Sequence, residues 1–435
     1  MQRGFIAGAA WVGVLAAWLL APGPVRAQII PPVRVPDLPG LPTQELNRTL
    51  DGVRQTADPE ELRELRRLRI RTLLRANRTV LEADPRGAPI VRNEVVALSP
   101  APAALDQARA AGFTVGRTRT LEGLDVTIVV LQAPRGMSTR RALQALRSAD
   151  PAGTYDYNHI YMESGEATPA GPAQPGTMPA PRASAIKVGL IDGGVQKAHA
   201  VFHDTTIHEH GCVGSIPSEH GTAVASLIVG QAQDFHGAAA GAELYAADVY
   251  CGLATGGAVD AVADAFGWMS REHVPVINIS LVGPPNGLLE QIVRIVTARG
   301  HIVVAAVGND GPSAPPLFPA AYPGVIGVTG VDAKEHVLVE ACRGNHVDFA
   351  APGADMSAAA LQGGYALVRG TSFAAPIVAG LLAQQLAGID KSRADAALAA
   401  LVSQATDLGA RGRDKVYGDG LVGDALRPPQ SLTKL

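Results

Sequence analysis

From residue 186 to residue 387 the chain alternates uninterrupted apolar runs with amphipathic stretches of helical period. The runs IKVGLI, ELYAADVY, VPVINIS, HIVVAAV and YPGVIGVTG have no polar face, and between and after them come HGTAVASLIVG, AVDAVADAFGWMSREH, GLLEQIVRIVTARG and SFAAPIVAGLLAQQLA. A strand that is apolar on both sides has to be covered on both sides, which predicts an α/β fold with a doubly wound parallel sheet over 186–427. Reactive groups in such a sheet collect at the carboxyl ends of the strands.

The region before it reads differently. Residues 90–161 run strand (IVRNEVVALS), helix (AALDQARAAG), strand pair (FTVGRTRTL, DVTIVVLQA), helix (STRRALQALRSA) and strand (GTYDYNHIY), the order of a small α+β unit of split βαβ type. Residues 164–185, rich in Pro, Ala, Gly and Ser, are expected to be a linker and a site of proteolysis. Upstream, Arg3, the apolar run from Phe5 to Ala21 and small residues ending at Ala27 predict an export signal over 1–27, with an uncleaved membrane anchor as the alternative. Residues 28–89 form an extension, Pro-rich from Ile29 to Pro42. It continues into an Arg-rich helix with Leu62, Leu65, Ile70 and Leu73 on one stripe, solvated or resting on an acidic partner or membrane surface. Residues 428–435 are a tail.

Charge divides along the same boundary. Residues 28–160 hold 19 Arg against 15 acidic residues, whereas 161–435 hold 16 basic against 25 acidic residues, and the whole chain carries −3. There is no basic excess to hold a phosphate backbone, and nucleic acid is excluded as the main partner. No Walker loop or dinucleotide fingerprint is present, so no cofactor is expected. Three cysteines in an exported chain allow one bridge. The favoured pair is Cys212 with Cys251, the alternative being three reduced, buried thiols. The histidines of HAVFHDTTIHEHGC (His199, His203, His208, His210) lack zinc-ligand spacing and read as exposed loop residues, so no metal is expected.

Three residues stand at strand ends or helix starts: Asp192 in GLIDGGV, His220 in SEHGTAVAS and Ser372 in RGTSFAAP. Each alone reads as a turn, a structural imidazole or a helix cap. Together they supply what a hydroxyl nucleophile needs: an imidazole to take its proton, and a carboxylate to fix and stabilise that imidazole. Asn309 in VVAAVGNDG adds an amide donor that, with the Ser372 N–H, would hold a tetrahedral oxyanion.

The order Asp, His, Asn, Ser and the strings VGLIDGGV, HGTAVAS, VINISL, AAVGNDG, GTSFAAP and YGDGLVGDAL resemble the subtilisin-like serine proteases over 186–427. The resemblance implies a serine endopeptidase with Asp192, His220 and Ser372 as triad and Asn309 in the oxyanion hole. It makes residues 90–163 an inhibitor-like propeptide, the chain's own partner, released by a cut in or near 161–184. It also implies that protein or peptide substrates bind as an added strand against Ser280, Leu281, Val282 and Gly283 on one side and the Gly252–Gly257 loop, with Gly256 and Gly257, on the other. Val282 replaces a glycine common in the family, which narrows the neighbouring subsite. The short GQAQDFHGAAAG loop lacks the oxygen ligands of the family's calcium site. Two other readings stand beside this one. A Glu-based acid peptidase of similar nucleophile motif is opposed by His220 and Asn309. A non-catalytic scaffold whose N-terminal domain stays bound is opposed by the presence of all four residues. The expected location is periplasmic or secreted.

Overall fold

The computed structural model describes residues 59–169 and 186–434. The expected export signal, the extension up to residue 58 and residues 170–185 of the expected linker lie outside the described residues. Among the described residues, no helix is long and apolar enough to cross a membrane.

The N-terminal part begins with helix α1 (Pro59–Ala76). Then follow β1 (Leu81–Ala83), β2 (Pro89–Leu98), α2 (Pro102–Ala110), β3 (Thr114–Leu121), β4 (Val126–Gln132), α3 (Thr139–Ala149) and β5 (Thr154–His159). The five strands form one antiparallel sheet in which β2 is flanked by β4 and β5. Period-2 alternation gives this sheet two apolar faces. Val95, Ala97, Val129 and Leu131 pack on Ala108, Leu143 and Leu146 of α2 and α3. Val96, Ile128 and Val130 point the other way and share a core with helices of the C-terminal part.

Two short strands follow, β6 (Met162–Glu163) and β7 (Glu166–Pro169). The expectation of a free linker from residue 164 is therefore corrected at its start. Paired backbone holds this Gly- and Pro-containing stretch in place, and composition alone carries no information about such partners.

The C-terminal part contains β8 (Lys187–Asp192), β9 (Ile207–His210), α4 (Glu219–Val229), the ribbon β10 (Gln231–Ala232) with β11 (Phe235–His236), β12 (Glu243–Asp248), α5 (Val259–Arg271), β13 (Val276–Ile279), β14 (Leu281–Val282), α6 (Gly287–Ala298), β15 (Ile302–Ala306), β16 (Val325–Val331), β17 (Phe349–Pro352), β18 (Met356–Ala359), β19 (Tyr365–Arg369), α7 (Thr371–Ala383) and α8 (Lys391–Gln404). Seven strands form a parallel sheet in the order β17-β16-β15-β13-β8-β12-β9. Along β8, Val188 and Leu190 pack on the α4 and α7 face, and Ile191 packs on the α5 and α6 face. This is the doubly wound α/β sheet that the unbroken apolar runs require.

The two parts are joined by polar contacts as well. Asp156 of β5 accepts from the Gly287 N–H at 2.7 Å, adding an anion to the positive end of α6, where Asn286 is already the N-cap. Arg117 of β3 lies between Glu94 (2.7 Å) and Asp260 of α5 (2.6 Å), and Arg119 pairs with Asp264 (2.9 Å).

Candidate active site

Asp192 ends β8 and is fully buried. His220 sits in the first turn of α4, whose N-cap Ser218 accepts from the Gly221 N–H at 2.9 Å. The His220 Nδ1–H donates to Asp192 Oδ1 and Oδ2 at 2.9 and 3.0 Å, and this fixes Nε2 as the open nitrogen. Burial disfavours the charged ring, but the Asp192 and Glu163 carboxylates outweigh it and raise the His220 pKa to about 9. Ligand atoms of Glu163, Asp192 and His220 lie within 4.8 Å of one another.

Ser372 lies in the first turn of α7, next to β13, β15 and β16 of the central sheet. Its Oγ is 2.8 Å from Ser164 Oγ, donates to Ser280 O at 3.1 Å and makes a close contact with the Ser164 carbonyl oxygen. It makes no hydrogen bond to His220, whose Nε2 is buried without a partner. Asn309 follows β15, and its Oδ1 accepts from the Thr371 N–H and Oγ1–H, both at 3.1 Å, leaving Nδ2 as the free donor. A Cβ on Gly370 would fall 2.9 Å from Asn309 Nδ2, 2.9 Å from Gly165 Cα and 3.3 Å from Ser164 O. Gly370 has φ +138, so space and backbone conformation both exclude a side chain where these groups converge.

The residues expected to bind a peptide divide into three roles. Leu281 and Val282 pair antiparallel with Glu163 and Met162, and Gly257 O accepts from the Tyr161 N–H at 2.8 Å. Gly283 packs on the Tyr161 ring, where an added Cβ would lie 2.6 Å from Cδ1, and the Tyr161 hydroxyl donates to Pro284 O at 2.7 Å. Ser280 instead braces α7: its Oγ–H donates to Ser372 O at 2.9 Å. Gly256 stays inside its own turn, bonded to Leu253 O.

Sequence reading missed the partner beyond the bond. Strand β19 pairs with β7 through Ala366–Pro169, Leu367–Thr168, Val368–Ala167 and Arg369–Glu166. Its run YALVR is an ordinary strand signal with nothing in it to mark a cleft wall. Residues 161–169 thus run through the cleft as an added strand, with the Ser164–Gly165 bond beside Ser372.

Cys212 and Cys251 are bonded, joining the loop after β9 to the Tyr250–Gly257 loop, while Cys342 is buried and free. The clustered histidines face separate partners: His199 the Gly364 carbonyl, His203 Asp204, His208 Glu243 and His210 Asp264.

A doubly wound sheet with an aspartate, an imidazole, an amide and a serine converging at its strand ends defines a class of hydrolytic site, and the chain belongs to the subtilase family, whose model matches residues 183–420. Among curated relatives it is similar to Subtilisin BL of Lederbergia lenta, 34% identical over 211 residues, which span 46% of this chain and 76% of that one. It is 33% identical to M-protease of Shouchella clausii (strain KSM-K16) over 211 residues, 46% of this chain and about half (53%) of that relative's length. Among solved structures, fervidolysin from Fervidobacterium pennivorans, a keratinolytic enzyme related to subtilisin, shares the fold. Its TM-score is 0.62 at 20% identity, over 78% of this chain and 62% of that one.

Proposed function

We propose that this chain is an exported serine endopeptidase, made as a zymogen that cuts itself between Ser164 and Gly165. The observation that carries the reading is the course of residues 161–169 through the cleft, with main-chain pairing on both sides of one bond and that bond's carbonyl against Ser372 Oγ.

In this mechanism Ser372 Oγ attacks the Ser164 carbonyl carbon as its proton passes to His220 Nε2. This requires Oγ to move from Ser164 and Ser280 to within about 3 Å of Nε2. Asp192 holds the Nδ1–H tautomer and stabilises the imidazolium. Asn309 Nδ2 and the Ser372 N–H hold the oxyanion. Collapse of the tetrahedral intermediate breaks the C–N bond, and His220 hands its proton to the new Gly165 amine. Water, deprotonated by His220, then attacks the Ser372 ester and releases residue 164 as a carboxylate. Residues 90–163 act as the chain's own inhibitor, and protein or peptide substrates follow the same path. Export is supported by Arg3, the apolar run to Ala21 and the Ala27 site, and by a disulfide suited to an oxidising compartment.

The test compares the purified full chain with Ser372→Ala. Wild type is expected to yield a fragment beginning at Gly165 that reacts with a serine-directed fluorophosphonate, and Ser372→Ala to stay uncut. A wild-type chain that neither cuts nor labels would instead be a subtilase-fold scaffold whose N-terminal unit remains bound.

A further inference from the structure

Helix α1 precedes the α+β unit and lies outside its sheet, yet it touches three parts of the molecule at once. Leu73 and Leu74 pack with Leu81, Val91, Ile160 and Met162 at the entry to the cleft segment. One turn and more toward the N-terminus, Arg69 Nη2 pairs with Glu166 Oε1 at 2.6 Å, two residues beyond the Ser164–Gly165 bond. Arg66 forks onto Asp310, Nε to Oδ2 at 3.1 Å and Nη1 to Oδ1 at 3.3 Å, with only 18% and 14% of the two side chains exposed. Asp310 is the residue after Asn309, so this pair fixes the helix beside the oxyanion donor.

Leu62, itself buried, and Leu65 close the remaining space over Ser164 and Gly165 to a cavity of about 60 Å³, room for a few waters. The bidentate Arg66–Asp310 fork sets one geometry for the helix, although burial of Asp310 outweighs Arg66 and raises its pKa. The helix therefore has anchors on the unit before the bond, on the segment after it and on the cleft wall. Cutting the bond removes none of them.

We propose that helix α1 is a latch that holds both ends of the cut segment in the cleft, so that cleavage and the gain of activity are separate events and release of α1 sets the second. The proposal rests on the processing reading above.

The experiment uses the full chain with Arg66→Glu and Arg69→Glu together, following the cut by gel and activity with a fluorogenic peptide. Wild type is expected to show cut protein well before activity, with a delay that shortens as salt rises from about 0.05 to about 0.5 M and screens the partly exposed Arg69–Glu166 pair. The double variant is expected to cut within about twofold of the wild-type rate and to gain activity about tenfold sooner, with little further effect of salt. Activity that appears together with the cut in wild type, or an unchanged delay in the double variant, overturns the latch.

The same pair of substitutions in a Ser372→Ala background reads the contact whether or not the chain can cut. Amide hydrogens of residues 162–168 should exchange about tenfold faster than with the native arginines, and equal exchange again overturns the latch. Absence of cutting in wild type overturns the processing reading instead. Arg66→Gln with Arg69→Gln, checked by thermal unfolding, serves where charge reversal impairs folding.

Discussion

His220 is flanked by Asp192 on one side and by Glu163 of the cleft segment on the other, and Asp248 and Tyr250 lie near the same carboxylate. Both flanking carboxylates favour the imidazolium, which cannot accept the Ser372 proton. The raised pKa, about 9, leaves the ring mostly protonated at pH 7. Self-cleavage should therefore accelerate with pH through about 9, measured as the appearance of the Gly165 N-terminus. Glu163→Gln removes one of the two carboxylates and is expected to move that midpoint toward neutral and to speed cutting at pH 7. A profile flat between pH 7 and 10 would count against His220 as the base. Asn309→Ala leaves the Thr371 N–H and Oγ1–H without their acceptor and removes the side-chain donor beside Gly370, where Ser164 and Gly165 also approach. The expected loss in kcat is about 100- to 1,000-fold with KM little changed, the magnitude known for removing one oxyanion donor in subtilisin itself. The candidates Asp192, His220, Asn309 and Ser372 were legible in the sequence because each sits at a strand end or helix start where only a few chemistries suit its residue type. The contact between Glu163 and His220 was not legible, since it joins residues 57 apart through a pairing of β6 with β14 that no local pattern encodes.

At the scale of elements, residues 161–169 pair with two strands in turn: β6 with β14 before the Ser164–Gly165 bond and β7 with β19 after it, both from distant parts of the sequence. Tyr161 is fully buried, with its ring on Gly283 and its hydroxyl on Pro284 O. A peptide ending Tyr-Met-Glu-Ser before its leaving group should be cut with a kcat/KM about 10- to 100-fold above Ala-Met-Glu-Ser, because the pocket then loses apolar contact and leaves a carbonyl unpaired. Equal rates would show that the ring is held by the N-terminal unit and not by the pocket. The disulfide ties the Tyr250–Gly257 loop, whose Gly257 O accepts from the Tyr161 N–H, to the loop after β9; Cys212 and Cys251 are 39 residues apart. On loop-closure grounds, replacing both by serine is expected to cost about 4 kcal/mol of stability, read by urea unfolding under non-reducing conditions.

In the whole molecule, among the described residues, the sheet of the N-terminal part has one apolar face covered by α2 and α3 and another covered by α5 and α6. The uneven charge along the chain resolves into a few partly desolvated pairs across that contact. Arg117 is the central one, between Glu94 (6% exposed) and Asp260 (2% exposed). Arg117→Ala leaves two buried carboxylates facing each other and is expected to weaken the docking of the two parts by about 3 kcal/mol, seen as faster exchange of Val96 and Val130 amides in the Ser372→Ala chain. By itself the amino-acid sequence determined the parallel sheet, the α+β unit before it and the residues able to perform the chemistry, because apolar period, strand-end position and side-chain type are local properties. Only the tertiary structure decided which bond lies at Ser372, that β19 pairs with residues 166–169 and that helix α1 touches the chain on both sides of that bond. Those follow from pairing and packing between segments up to 244 residues apart, where geometry, and not composition, selects the partner.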